Sequence, residues 1–502
     1  MNNLERLYDW IQQETATLAG ALPGEPEEAI HALLEARRSP DAAESPSRKT
    51  VTGVATSHAG LGIALQLLLE GGAGDPEIDA DEAWATGFLA ACDALAEARI
   101  VATHVESGFM KLDDGVDASI DAWIATKLAP ARWRELAAWT RWAAWNNGLA
   151  DVERPADSTL LFSYQFGYPA ESTLFGAKAG EWSQIAGKLF DLAESADAEP
   201  LSVTFDGLVG YLAERLKAKP ETIAERVPLF MLTRENAEWH ASPPAIAAAP
   251  LIEVGDGKLV VSPHGVWMAP LMFVTREMRR RNAESYHNAS QAREDLFRRE
   301  LYALFPESRY VTARNRVLLR KSEGEARTDI DAAIFDKKTG TLALFELKAL
   351  DPFARSTAEL NRQRDNTLEA GHQIGAILDW INKHSPDELL KRIDPGTAKK
   401  FKVQRVLPFA LGRCLVRFDD GPAPDARAGW SEWPGFIRQV ETVATSNASN
   451  PLLSLHSGLL QAKPVEIDPN AFTQHEIRLG ATQRTIRVFP SRASLNDVPA
   501  GD

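Results

Sequence analysis

The chain has 502 residues, of which 44% are hydrophobic and 25% charged. This composition is typical of a globular protein rather than a disordered or fibrous one, and the length suggests two to four domains at roughly 100–200 residues each. The longest nearly apolar run, from Leu61 to Leu69, is too short for a membrane span of ~18 residues or more. The N-terminus has no secretory-signal pattern, and two distant cysteines suit a reducing compartment. We therefore expect a cytoplasmic protein without membrane contact.

The net charge of −15 argues against a protein that coats nucleic acid non-specifically, but the charge is unevenly distributed. Residues 1–150 contain 11 Lys and Arg against 23 Asp and Glu, whereas residues 276–321 contain 12 against 6. Local charge matters more than the total for a phosphate-bearing partner. The basic middle of the chain is thus the better place to look for contacts with nucleic acid.

Residues 1–240 are predicted to form an acidic, mostly α-helical region, because apolar positions recur at intervals of three and four. It includes a tryptophan-rich helix over 133–145, for which core packing is favoured over base stacking. The stretch 241–250 is rich in Ala and Pro and predicts a domain boundary. The N-terminal region is a candidate for recognising a protein partner or a trigger.

Residues 250–285 are predicted to form a connector made of a β-hairpin and a basic helical stretch. The hairpin runs from Leu251 to Val261 around a Gly-Asp-Gly turn. For the arginines of this region, the sequence leaves open whether they contact phosphate or form an ordinary solvated face. The arginines considered for phosphate contact are Arg276, Arg279, Arg280, Arg281 and Arg293.

The most informative segment is Thr328–Lys348, with the sequence TDIDAAIFDKKTGTLALFELK. Period-two alternation predicts a strand carrying Asp329 and Asp331 on one face, a turn at 336–340, and a second strand ending at Lys348. The alternation in the second strand places Glu346 and Lys348 on one face. Charged residues in such apolar strands are costly to bury unless they serve each other or a metal ion.

Such a cluster suits metal-assisted cleavage of a phosphodiester bond. Carboxylate oxygens bind Mg²⁺, which retains waters and reaches its substrate through phosphate. A metal ion polarises the phosphate and activates a water, and a nearby lysine orients that water. The expected metal ligands are Asp331 and Glu346, with the backbone carbonyl of Leu347 completing the coordination, and Lys348 would position the nucleophile.

Asp331 followed, after fourteen residues, by Glu346-Leu347-Lys348 resembles the PD-(D/E)xK nuclease superfamily, over about residues 286–412. The resemblance implies a restriction-endonuclease-like α/β core at 286–420, with a mixed sheet flanked by helices, and leaves 421–502 as a C-terminal appendage. The chain has Thr328-Asp329 where the family name has Pro-Asp. Asp329 therefore competes with Asp331 as the principal ligand, and Asp331 is preferred.

The resemblance also implies two supporting side chains. A carboxylate on the preceding helix often joins the site, and Glu294 is the best match, with Glu300 second. A polar residue on the helix after the Glu-x-Lys strand often faces the site, for which Gln363 and Gln373 are candidates on a helix from about Ser356 to Ile381.

The expected function is a nuclease dependent on Mg²⁺, for which Mn²⁺ can substitute. DNA is favoured as substrate because most relatives of this fold cut DNA, and restriction or anti-phage defence is the context by analogy. An RNA-directed nuclease is an alternative, because both polymers present the same phosphodiester. Two non-enzymatic interpretations also stay open. One is a catalytically inactive binding or assembly protein of the same fold, and the second is a surface hairpin with a simple Glu346–Lys348 ion pair.

Overall fold

A computed structural model describes most of the chain as two compact units. The described residues are 3–38, 51–71, 74–106, 110–112, 166–197, 199–242, 248–268, 270–320, 326–350, 357–413, 416, 425–460, 473–479 and 482–490. The first unit comprises Met1–Ala289, Phe353–Leu360 and Asn470–Ser491, and the second comprises Ser290–Pro352, Asn361–Pro469 and Arg492–Asp502. The predicted tryptophan-rich helix over 133–145 lies outside the described residues.

The first unit is dominated by helices, as predicted for the N-terminal region. Long helices here are rich in Ala and Leu, which favour helix and leave a continuous apolar face to bury. The helices are α1 (Asn3–Ala19), α2 (Pro26–Arg38), α3 (Val51–Glu70), α4 (Glu82–Glu106), α5 (Ala179–Ser195), α6 (Phe205–Leu216), α7 (Pro220–Arg226), the 3-10 helix Val227–Phe230, α8 (Ala237–His240), α9 (Pro263–Met268) and α10 (Pro270–Arg281).

The first unit also contains short strands. Those before residue 250 were not predicted from the sequence. The strands are β1 (Met110–Leu112), β2 (Thr173–Leu174), β3 (Ala177–Lys178), β4 (Leu201–Thr204), β5 (Met231–Leu232), β6 (Leu251–Gly255) and β7 (Lys258–Val261). The predicted hairpin is present as β6 and β7, but it is the centre of a four-stranded sheet in the order β4-β7-β6-β5. It therefore belongs to the first unit instead of forming a separate connector.

The second unit contains a mixed sheet flanked by helices, as predicted. Its strands are β8 (Tyr310–Thr312), β9 (Val317–Arg320), β10 (Ala326–Ile330), β11 (Ala332–Asp336), β12 (Thr341–Lys348), β13 (Arg405–Gly412) and β14 (Gly429–Glu432). Its helices, two of which begin within the first unit, are α11 (Ala283–Ala303), α12 (Thr357–His384), α13 (Pro386–Ile393), α14 (Pro395–Ala398), α15 (Trp433–Thr445) and α16 (Pro451–Leu460).

The five-stranded sheet has the order β14-β13-β12-β11-β8. Strand β12 pairs parallel with β13, which pairs parallel with β14, whereas β11 is antiparallel to both β12 and β8. Strands β9 and β10 form a separate antiparallel ladder. In the C-terminal region, strands β15 (Thr473–Leu479) and β16 (Thr482–Pro490) form a hairpin that joins β1 in the first unit.

Central strand β12 explains how the sheet is covered on both faces. Leu342 and Leu344 pack in one apolar cluster with Trp380 of α12. On the opposite face, Phe345 stacks on Phe409 with ring centroids 4.7 Å apart. Because alternate residues face opposite sides of a strand, Glu346 and Lys348 lie on the α12 face.

Among the described residues, no helix is both long enough and apolar enough to cross a membrane.

Candidate functional site

The hairpin of β11 and β12 brings the predicted acidic residues together. Its turn requires Gly340, which has φ +66° and where an added Cβ would lie 2.9 Å from the carbonyl oxygen of Lys402. The antiparallel ladder ends at the pair Ala332 and Phe345. Asp331 immediately precedes β11, and Glu346 immediately follows Phe345 in β12. The two acidic residues therefore lie side by side.

Asp331 occupies a bend between two strands of different sheets. Strand β10 ends at Ile330 in the ladder with β9, and β11 begins at Ala332 in the five-stranded sheet. The prediction of one continuous strand carrying Asp329 and Asp331 is therefore wrong, because the two flanking segments pair with different partners. The Asp331 carboxylate is anchored here, since its Oδ2 accepts a hydrogen bond of 2.9 Å from the backbone N–H of Leu347.

Glu346 is a buried carboxylate with one oxygen unsatisfied. It is 3% exposed, and its Oε1 lies 2.8 Å from the Nζ of Lys348. Its Oε2 is buried and has no hydrogen-bond partner within the described part of the chain. Burial, aided by the neighbouring charge of Asp331, raises the pKa of Glu346 to about 8. Burial also raises the pKa of Asp331. At both carboxyls, burial therefore outweighs the attraction of the nearby cations.

Lys348 is held in place by two side chains. Besides Glu346, its Nζ donates a hydrogen bond of 3.0 Å to Oε1 of Gln373 on α12. Of the two predicted glutamines, Gln373 is thus the one that contacts the lysine. Gln363 is buried on the same helix, ten residues earlier. The contact of Gln373 arises from the packing of α12 against β12, and a role for Gln363 stays a prediction.

Arg316 is a site residue that sequence reasoning missed. Its guanidinium lies 2.5 Å from Glu294, 3.0 Å from Asp329 and 3.3 Å from Asp331. These contacts draw both Glu294 and Asp329 into the same cluster as Asp331, as predicted for a supporting carboxylate. The sequence feature that could have identified Arg316 is the alternation of arginines with Val317 and Leu319 just before the acidic strand. The second candidate on the preceding helix, Glu300, instead pairs with Arg413.

The donor set fits a small divalent cation. Within the described ranges, no group of three or more His, Cys, Asp or Glu residues is arranged to hold a metal ion. Mg²⁺, however, is usually bound by one or two protein carboxylates together with water and phosphate. Asp331 and Glu346 supply these two carboxylates, and the unsatisfied Oε2 of Glu346 is an oxygen that a cation would satisfy. Coordination by the Leu347 carbonyl stays a prediction.

The predicted phosphate-binding arginines contact acidic side chains or a backbone carbonyl oxygen of the protein itself. In the first unit, Glu277 is 0% exposed and accepts hydrogen bonds from Arg280 and Arg281. Together with His240, these arginines hold the pKa of Glu277 well below its usual range. Arg279 pairs with Glu359. In the second unit, Arg293 is 2% exposed and donates to the carbonyl oxygen of Leu350. The interpretation of this set as an exposed phosphate-binding face therefore gains no support from the fold.

Neither a protein-family model, nor a curated protein, nor a solved structure matches the chain. The resemblance noted from the sequence consequently stays a prediction, and a functional conclusion must rest on the geometry of the site. That geometry comprises two adjacent buried carboxylates at the ends of neighbouring strands, a lysine in contact with one of them, and an arginine in contact with the other.

Proposed function

We propose that the chain is a metal-dependent nuclease that hydrolyses phosphodiester bonds of nucleic acid, with DNA favoured over RNA. The observation that carries the proposal is Glu346, a carboxylate that is 3% exposed, touches Lys348 and leaves Oε2 unsatisfied beside Asp331. Burying two carboxylates side by side destabilises a protein unless positive charge compensates them fully. A function that needs a cation at this point accounts for the arrangement.

The residues divide into cation ligands and groups that act on substrate and water. Asp331 and Glu346 would hold Mg²⁺ or Mn²⁺, whose bound form polarises a phosphate and lowers the pKa of a coordinated water. Lys348 places its ammonium 2.8 Å from Glu346, where it can orient a water and balance charge that develops on the phosphate. Gln373 positions that ammonium through its 3.0 Å hydrogen bond. Glu294 and Asp329 set the local negative charge that Arg316 offsets.

Cleavage assays with the full chain test the proposal. Plasmid, linear and single-stranded DNA and RNA are incubated with Mg²⁺, Mn²⁺ or EDTA. We expect metal-dependent cleavage that falls by about 10²–10³-fold or more in Glu346→Gln and Lys348→Met. The matched controls Glu369→Gln and Lys399→Met change exposed residues of the same types and should retain activity. Cleavage that survives EDTA or both site variants would contradict the proposal, and the substrate cut identifies the polymer.

Arg316 favours one alternative, a non-catalytic nucleic-acid-binding or assembly protein. A guanidinium 3.3 Å from Asp331 supplies a positive charge without any metal ion. This alternative expects nucleic-acid binding that is indifferent to Mg²⁺ and to Lys348→Met, and no cleavage of any polymer. Calorimetric titration of Mn²⁺ separates the two, because the nuclease requires binding that Glu346→Gln weakens. A role in restriction or anti-phage defence, and recognition of a protein partner by residues 1–240, are further parts of the proposal that rest on analogy.

A further inference from the structure

We propose that the exposed face of strand β9, together with Arg314 at the bend before it, binds the phosphodiester backbone of the nucleic acid and leads it to the carboxylate cluster. We call this surface the β9 face and define it as Arg314, Arg316, Leu318 and Arg320. The proposal rests on the proposed function, because it names the surface by which that site receives its substrate.

The β9 face arises from strict alternation along β9 and the residue just before it, Arg316. Arg316, Leu318 and Arg320 are exposed, whereas Val317 and Leu319 are buried in the apolar cluster beneath the sheet. Residues two apart share one face of a strand, so the three exposed side chains form a row. The row spans ~13 Å at ~3.3 Å per residue, which is the length of roughly four nucleotide steps at ~3.4 Å each.

The row continues into the candidate site. Leu318 lies directly opposite Asp329 in the ladder of β9 with β10, so their side chains share the same face. The first arginine of the row, Arg316, contacts Asp329 and Asp331. A backbone that follows the row therefore arrives at the carboxylates to which the chemistry is assigned.

Composition favours nucleic acid as the occupant. Arg314 and Arg320 are exposed and carry planar, multiply donating groups that match phosphate oxygens, while Arg316 already contacts the carboxylates of the site. Phosphate contacts supply most of the non-specific affinity of such proteins. Leu318 is 48% exposed, one of two large apolar side chains with such exposure among the described residues. An apolar side chain between arginines suits contact with a sugar or base and offers nothing to a free phosphate ion.

Binding measured without cleavage tests the proposal. All proteins are full-length and carry Glu346→Gln, and binding to labelled duplex DNA, single-stranded DNA and RNA is followed by fluorescence anisotropy in EDTA. The test variant adds Arg314→Gln and Arg320→Gln, leaving Arg316 untouched because it contacts the site. The control adds Lys399→Gln and Lys400→Gln, which remove the same charge from exposed positions in the turn after α14 of the second unit.

The expected result is a loss of affinity of about tenfold in the test variant, with the slope of log K against log salt reduced in magnitude by ~1.8 for duplex DNA. The control should change affinity by less than about twofold, because its lysines lie outside the β9 face. A further variant, Leu318→Ser, should weaken binding without changing the salt slope, because leucine carries no charge.

Three outcomes separate this inference from the proposed function. An equal loss of affinity in the test and control variants overturns the binding role of the β9 face, even if the wild type cuts nucleic acid in a metal-dependent manner. Binding lost as expected, with no cleavage by the wild type under any metal, supports the β9 face and overturns the nuclease. An absence of binding to all three polymers by the Glu346→Gln protein overturns the inference directly.

Discussion

Replacing Glu346 by Gln should make the second unit more stable at alkaline pH. The folded chain ionises this carboxyl at a pKa of about 8, against an ordinary value of 4.5. Between these values the unfolded chain has released a proton that the folded chain retains, so stability falls as pH rises through this window. At ~1.4 kcal/mol per pKa unit, the full effect is about 5 kcal/mol. Glutamine does not ionise, so the variant should match the wild type near pH 4.5 and exceed its stability near pH 9.

Hydrogen exchange in EDTA measures this effect in the second unit alone. Peptides from strand β12 are followed from pH 5 to 9 and corrected for intrinsic exchange, for wild type, Glu346→Gln and the exposed control Glu369→Gln. The free energy of opening of wild type and control should fall together, whereas that of Glu346→Gln stays above them. Adding Mg²⁺ at pH 9 should stabilise wild type by ~2.7 kcal/mol at a concentration 100 times its Kd, and the variant by less. Parallel pH curves for all three proteins would refute the reasoning.

Three further substitutions test other parts of the structure. Arg316→Gln should tighten Mn²⁺ binding by roughly tenfold in calorimetry, because it removes a cation that contacts Asp331; weaker binding would show that the arginine does not compete. Asp336→Asn should cost the second unit about 3 kcal/mol, since Arg309 helps hold the pKa of this carboxyl below its usual range. That loss should shrink as acid protonates Asp336, which hydrogen exchange would reveal. In the wild type, the stabilisation from Asp336 is lost as pH falls, whereas Glu346 lowers stability as pH rises. Glu277→Gln should destabilise the first unit by about 3 kcal/mol in the same assay, because two arginines depend on it; unchanged exchange would contradict this.

The central hairpin and its charged residues could be predicted because their determinants are local. Strand β12 runs from Thr341 to Lys348 and ends at the predicted residue, and alternation correctly assigned Glu346 and Lys348 to one face. The turn needed a residue tolerant of positive φ, which Gly340 supplies. The mixed sheet with flanking helices was implied by the resemblance and is confirmed.

The rest depended on pairing between distant segments. The break at Asp331 arises because β10 pairs with β9 while β11 pairs with β12, and both segments are equally strand-like in sequence. Arg316 reaches Glu294 across 22 residues, and only the folded arrangement shows that contact. Likewise, a run of three arginines predicts a basic surface unless a buried acid such as Glu277 lies beneath it.

The hydrogen bond between Asp331 and the Leu347 amide has a consequence for ion selectivity. It engages Oδ2 of Asp331, and Lys348 engages Oε1 of Glu346. The remaining oxygens are Oε2 of Glu346, which has no hydrogen-bond partner among the described residues, and Oδ1 of Asp331, which Arg316 contacts at 3.3 Å. Ca²⁺ favours six to eight oxygen ligands and often takes both oxygens of a carboxylate, whereas Mg²⁺ accepts single oxygens and keeps its waters. At the proposed site, ligation through single oxygens would therefore favour Mg²⁺ over the larger Ca²⁺, with the β12 backbone limiting how Asp331 can bind an ion.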